Sequence, residues 1–179
     1  MNVMDPSIAP LAVVGTAVIF LISAFVTRAP VRRIVGAFGG AIPIVFLVML
    51  YDRIAATLGL WHYPGVPIGS EPIAWYVASA LFYGPTLGLV GWRIIRRLRT
   101  RGLVLFLICL GTFGVSRDYL YGATTHSIVF GLGLLSTFAD FAAYTSAGAL
   151  VQVLMYLICG SPYADRLART RRVDSRDTH

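Results

Sequence analysis

The chain has 179 residues, 57% of them hydrophobic and 13% charged, with a mean hydropathy of +0.75. A soluble domain of this length rarely reaches those values, so the composition points to an integral membrane protein. All 15 basic residues are arginine and the formal net charge is +7; without lysine, Schiff-base chemistry and a lysine nucleophile are excluded.

The first apolar span runs from Pro10 to Val26. No basic residue precedes it and Asp5 is acidic, so it reads as a retained helix with its N-terminus outside, not a secretory signal. Arg28, Arg32 and Arg33 follow, with Pro30 breaking the helix between them. The second span starts near Ile34 and reaches Leu50, with room to continue to Leu60. Gly36 and Gly40 have the spacing that lets helices approach closely in lipid, and Pro43 predicts a kink. The connector that follows holds Gly59, Pro64, Gly65, Pro67 and Gly69, all turn formers. Ser70-Glu71-Pro72 predicts a helix start, with Ser70 as N-cap and Glu71 favoured by the helix dipole.

The third span, Ile73 to Ile95, carries Gly84, Gly88 and Gly91 and a second kink residue, Pro85. It ends in five arginines between Arg93 and Arg101. The fourth span, Leu103 to about Tyr121, holds Arg117 and Asp118 near its far end. Residues 122 to 160 are too few for two helices and a turn. They predict an irregular lead-in through Gly131 and Gly133, then one helix. Thr137 and Asp140 fit a capping box that starts that helix, and Gly160-Ser161-Pro162 stops it. Residues 1–162 thus form one transmembrane domain, and 163–179 a polar, Arg-rich cytoplasmic tail.

Three arginine groups, at 28–33, 93–101 and 166–176, hold 13 of the 15 arginines. Five helices put all three on one side, which the positive-inside rule makes cytoplasmic. The expected fold is therefore an all-α bundle of five transmembrane helices in the cell membrane, N-terminus out and C-terminus in. The same arginines explain the sequence pI of about 9.9 as a topology signal in contact with anionic lipid heads, with no nucleic-acid partner.

Arg53 and Arg117 remain, and each adjoins an aspartate, Asp52 or Asp118. Each pair is followed by aromatics and a histidine: Trp61, His62 and Tyr63, or Tyr119, Tyr121 and His126. Each connector then enters the next helix through an acid, Glu71 or Asp140, so the two halves read as a loose duplication. Charges at membrane depth usually face the bundle interior and pair there. A carboxyl held near lipid can act as a general acid, and aromatic faces stabilise cations. The expected site joins Glu71, Asp118, Asp52 and Asp140 as acids, bases and their partners. Arg53 and Arg117 orient, and Trp61, Tyr63, Trp75 and Tyr119 form the wall. The plainer alternatives are interfacial Trp and Tyr, capping carboxylates and surface ion pairs. No metal-ligand spacing and no cofactor motif is present, and Cys109 and Cys159 read as small buried hydrophobes.

The run Asp52, Ala55, Gly59, Trp61, Tyr63 and Pro64, with Gly69 and Glu71-Pro72 after it, resembles the small membrane-bound lycopene cyclases and carotenoid hydratases. The likeness covers residues 48 to 83. Glu71 precedes Pro72 here, and Ala74 or Trp75 stands at the second acidic position, so the carry-over reaches Asp52, Trp61 and Glu71. The resemblance implies acid-initiated cyclisation or hydration of an isoprenoid or another lipid-soluble small molecule. The alternative is a non-catalytic membrane subunit, forming homo- or hetero-oligomers through Gly36, Gly40, Gly84 and Gly88.

Overall fold

The structure is a computed structural model that describes residues 9–69, 76–77, 80, 82–131 and 133–162. The expectations placed on Ser70, Glu71, Pro72, Trp75 and the tail 163–179 lie outside these residues. The described chain is helical: α1 Ala9–Thr27, α2 Val31–Thr57, a π-helical turn Phe82–Leu87 leading into α3 Gly88–Thr125, and α4 Leu134–Cys159. Among the described residues, three stretches are long and apolar enough to cross a membrane: Val31–Thr57, Gly84–Thr125 and Leu134–Cys159. A shorter apolar helix, Val13–Thr27, accompanies them.

Local chemistry sets the ends. At the end of α1 the Ala29 amide donates to Ala24 O (3.1 Å) and the Arg28 amide to Phe25 O (3.1 Å). This is a Schellman closure, with Arg28 at φ 49° in the place glycine usually takes. The end of α2 closes the same way, through Leu60 N to Ala55 O at 2.8 Å, with Gly59 at φ 68°. α2 runs through Pro43 as one element, whereas Pro85 sits inside the π-helical turn. A wider turn absorbs the amide that proline lacks.

The arginine-rich stretch 93–101, expected as a connector, stays helical except at Arg99 (φ 56°, ψ −137°). Those angles belong to the first central residue of a type II′ turn, a glycine position. The chain folds back there. A Cβ placed on Gly102 would lie 2.7 Å from Ile94 O, and one on Gly91 would lie 2.9 Å from the Phe106 ring. Residues 88–98 and 100–125 are therefore two antiparallel arms.

The helices pack through small residues and expose apolar ones. Ala37, Ile44, Leu89, Trp92, Val151 and Met155 form the buried core, while Phe25, Ile42, Phe46 and Leu157 are exposed. Gly36 faces Cys159 and Ile158, Gly40 faces Val151, and Gly88 faces Val151 and Met155. These glycines thus seat α4 within the same chain. On α4 the buried stripe reads Ser136, Asp140, Tyr144, Ala147, Gly148, Val151, Gln152 and Met155, with Gln152 donating to Gly88 O at 3.2 Å. The buried ionisable residues Asp52 and Asp140 face the bundle interior, where charge in lipid is tolerated.

Charge sits at the two ends of the bundle. Arg33 opens α2 and Asp52 lies near its close, both buried. At 1.5 Å per residue they are about 28 Å apart, close to the hydrocarbon thickness of a bilayer. The α4 end lies beside Arg32, which donates to Ile158 O at 3.3 Å. The start of α4 and the far ends of α2 and α3 meet at the opposite end.

Candidate functional site at the carboxylate end of the bundle

Two short strands bring the connectors together. β1 Trp61–His62 pairs antiparallel with β2 Val129–Phe130, Trp61 opposite Phe130 and His62 opposite Val129. The Gly131 amide extends the ladder to Leu60 O at 2.7 Å. Gly131 is required here, because a Cβ would run into the Gly59 carbonyl oxygen. Nothing in the residue pattern marks this clasp, since strands of two residues carry no periodicity.

Beneath the clasp lie three carboxylates. Asp52 is buried, and its Oδ1 accepts from Trp61 Nε1 (3.0 Å) and from the Tyr63 hydroxyl (3.1 Å). Burial and then the Asp52 charge push the Tyr63 phenol well above its ordinary range, so it remains a donor. Asp118 is held on both oxygens: Arg117 Nε donates to Oδ1 at 2.7 Å, and the Tyr144 hydroxyl donates to Oδ2 at 2.6 Å. Arg117 Nη2 also donates to the Tyr144 hydroxyl, and the guanidinium stands 5.4 Å from that ring centre. Each member of this trio fixes the other two.

Asp140 lies one helical turn before Tyr144 on the same face of α4. The capping box expected at Thr137 and Asp140 is corrected by the structure. α4 starts at Leu134 after Gly133 (φ 107°) with no side-chain cap. Thr137 instead bonds the Tyr119 hydroxyl at 2.8 Å. Asp140 is 4% exposed, and its Oδ2 has no hydrogen-bond partner among the described residues. Asp118, Arg117 and Asp52 all act on it electrostatically, and Asp118 also acts on Tyr63. Asp118 and Asp52 thus both lie within electrostatic reach of Asp140.

The aromatic side is also shared. Tyr119 stacks on Phe130 with centroids 4.1 Å apart and planes at 10°, and Trp61 lies 6.3 Å from Phe130, tilted by 53°. Phe130 thus joins the two connectors, a role nothing in its local sequence announces. Arg53 differs from the expectation. It is exposed, and its guanidinium lies along Gly69. Adjacent helix positions point about 100° apart, so burying Asp52 turns Arg53 outward. Glu71 and Trp75 are outside the described residues.

Among the described residues, no three His, Cys, Asp or Glu side chains are placed to share a metal ion. The cluster offers one carboxyl with an open oxygen, one carboxylate held by a cation and a phenol, and a wall of rings. Comparison with known proteins gives no match: no family model, characterised protein or solved structure aligns with the chain.

Proposed function

We propose that this is a five-pass protein of the cell membrane, N-terminus outside, that performs acid–base chemistry on an isoprenoid or other lipid-soluble molecule. The longer arm of α3 supplies one of the five passes and the shorter arm ends another that the π-helical turn leads into, and the arginine-rich end faces the cytoplasm by the positive-inside rule. One observation carries the catalytic reading. Asp140 is buried with an open oxygen beside a second carboxylate, Asp118, whose oxygens are both engaged. Unequal carboxyl environments are the usual basis for dividing acid and base roles.

In this reading Asp140 gives its proton to an alkene carbon, and the cation so formed lies against Trp61, Phe130 and Tyr119. Ring faces stabilise a cation there. Asp118, kept in place by Arg117 and Tyr144, balances the charge. Cyclisation ends with loss of a proton from the neighbouring carbon to a carboxylate. Hydration ends with capture of water, whose extra proton goes to the same acceptor. Asp52 positions Trp61 and Tyr63.

Asp140→Asn keeps the shape and removes the proton donor. Product formation, read as the lipid profile of expressing cells, is expected to fall about 10²-fold or more. An unchanged profile with folded Asp140→Asn protein would refute the catalytic reading.

A further inference from the structure

At the arginine end a cavity of about 410 Å³ is lined by Val26, Thr27, Arg28, Arg33, Arg93, Arg96 and Arg97. We infer that this cavity is a binding site for a phosphate-bearing group, separate from the carboxylate cluster and independent of the chemistry proposed there. The volume lies within the range of small-ligand sites, about 300–1,000 Å³. Among the described residues its lining holds five guanidinium groups and no carboxylate.

The positive-inside rule accounts for arginines at this membrane face, but it does not require them to surround one concavity. Three separate segments converge to make it. Arg28 is held in the left-handed region at the end of α1 (φ 49°). Arg33 stands in the first turn of α2, 7% exposed. Arg93, Arg96 and Arg97 share one face of the first arm of α3, at the spacing of one helical turn. Arg93 is further fixed by donating to Val26 O at 2.9 Å. Arginine matches phosphate through paired, planar N–H donors. Basic pockets between helices at this face are known to take phosphate head groups.

Two sources share that chemistry: the head group of an anionic lipid, and a free phosphate or diphosphate. The test uses full-length protein purified in a neutral detergent. One arm titrates sodium pyrophosphate at constant ionic strength and follows thermal unfolding. The other adds phosphatidate or phosphatidylcholine and counts retained lipid by native mass spectrometry. A saturable shift with pyrophosphate assigns a soluble ligand; retention of one phosphatidate per chain over phosphatidylcholine assigns a lipid.

In either case Arg33→Gln is expected to weaken binding about tenfold or more, as loss of a charged hydrogen bond does. The double variant Arg96→Gln/Arg97→Gln, away from the buried position, gives the same result if Arg33→Gln does not fold. The inference is overturned if neither ligand saturates, if chloride at equal ionic strength reproduces the shift, or if folded variants bind as well as the parent.

Discussion

Gly114→Ala is expected to destabilise the protein by about 3 kcal/mol, roughly the upper end of overpacking costs. The Tyr144 ring packs on Gly114, so a Cβ there would stand 2.5 Å from Cδ1, with Cγ and Cδ2 closer still. The ring has nowhere to retreat. Its hydroxyl is tied to Asp118 Oδ2 at 2.6 Å and to Arg117, and Tyr144 is 8% exposed. The substitution therefore both strains the packing of α3 on α4 and detaches the phenol from the Asp118–Arg117 pair. Gly15→Ala is the control: nothing lies within 4 Å of that position. There alanine is expected to be neutral or slightly stabilising, by its helix propensity. Thermal unfolding in detergent compares the two. Equal melting temperatures would show that Tyr144 does not sit where the account needs it.

Asp52→Ala is expected to cost about 3 kcal/mol, because two donors lose their acceptor at once. Trp61 Nε1 and the Tyr63 hydroxyl both point at Asp52 Oδ1, and Trp61 is 6% exposed. Asp52→Asn retains an oxygen for them and is expected to cost about 1 kcal/mol, the worth of a charged over a neutral bond. The alanine variant also removes the carboxylate that, after burial, holds the Tyr63 phenol up. Its ionisation, followed by ultraviolet absorbance, is expected at lower pH in Asp52→Ala than in the parent. If alanine and asparagine variants are equally stable and Tyr63 titrates unchanged, Asp52 is not the hub of the first connector.

The helices were legible because the rules that mark them are local. Apolar runs bounded by arginine read as spans, and Gly160, at φ 79°, ends α4 where it was expected to. The burial of Asp52 and Asp140 was legible from the cost of charge in lipid, which leaves the bundle interior as their place. Three things were hidden, each for a physical reason. Arg99 reverses the chain with angles that favour glycine, so its identity gives no cue. The clasp of Trp61 with Phe130 depends on tertiary pairing of strands too short for a pattern. Thr137 and Asp140 have capping-box spacing, but positions three and four apart also share a helix face, and the buried stripe through Ser136, Asp140 and Tyr144 takes precedence.

The small-residue faces were seen in the sequence, but their target was not. Gly36, Gly40 and Gly88 have the spacing of an oligomer contact, yet each meets α4 of its own chain. Gly111 and Gly114 do the same for Phe141 and Tyr144.

The proposed site requires the two connectors to meet over the carboxylates, and a disulfide across the clasp measures that meeting. His62 and Val129 are paired and both exposed, so cysteines at these positions can be joined without disturbing buried contacts. In a protein with Cys109 and Cys159 replaced by alanine, oxidation of His62→Cys/Val129→Cys is expected to give an intramolecular crosslink, seen as a reducible loss of both free thiols. Cysteines opposite each other in a strand pair lie within disulfide reach. Two thiols that stay free under the same oxidant would place the connectors apart, and the shared cluster of Asp52, Asp118 and Asp140 would go with them.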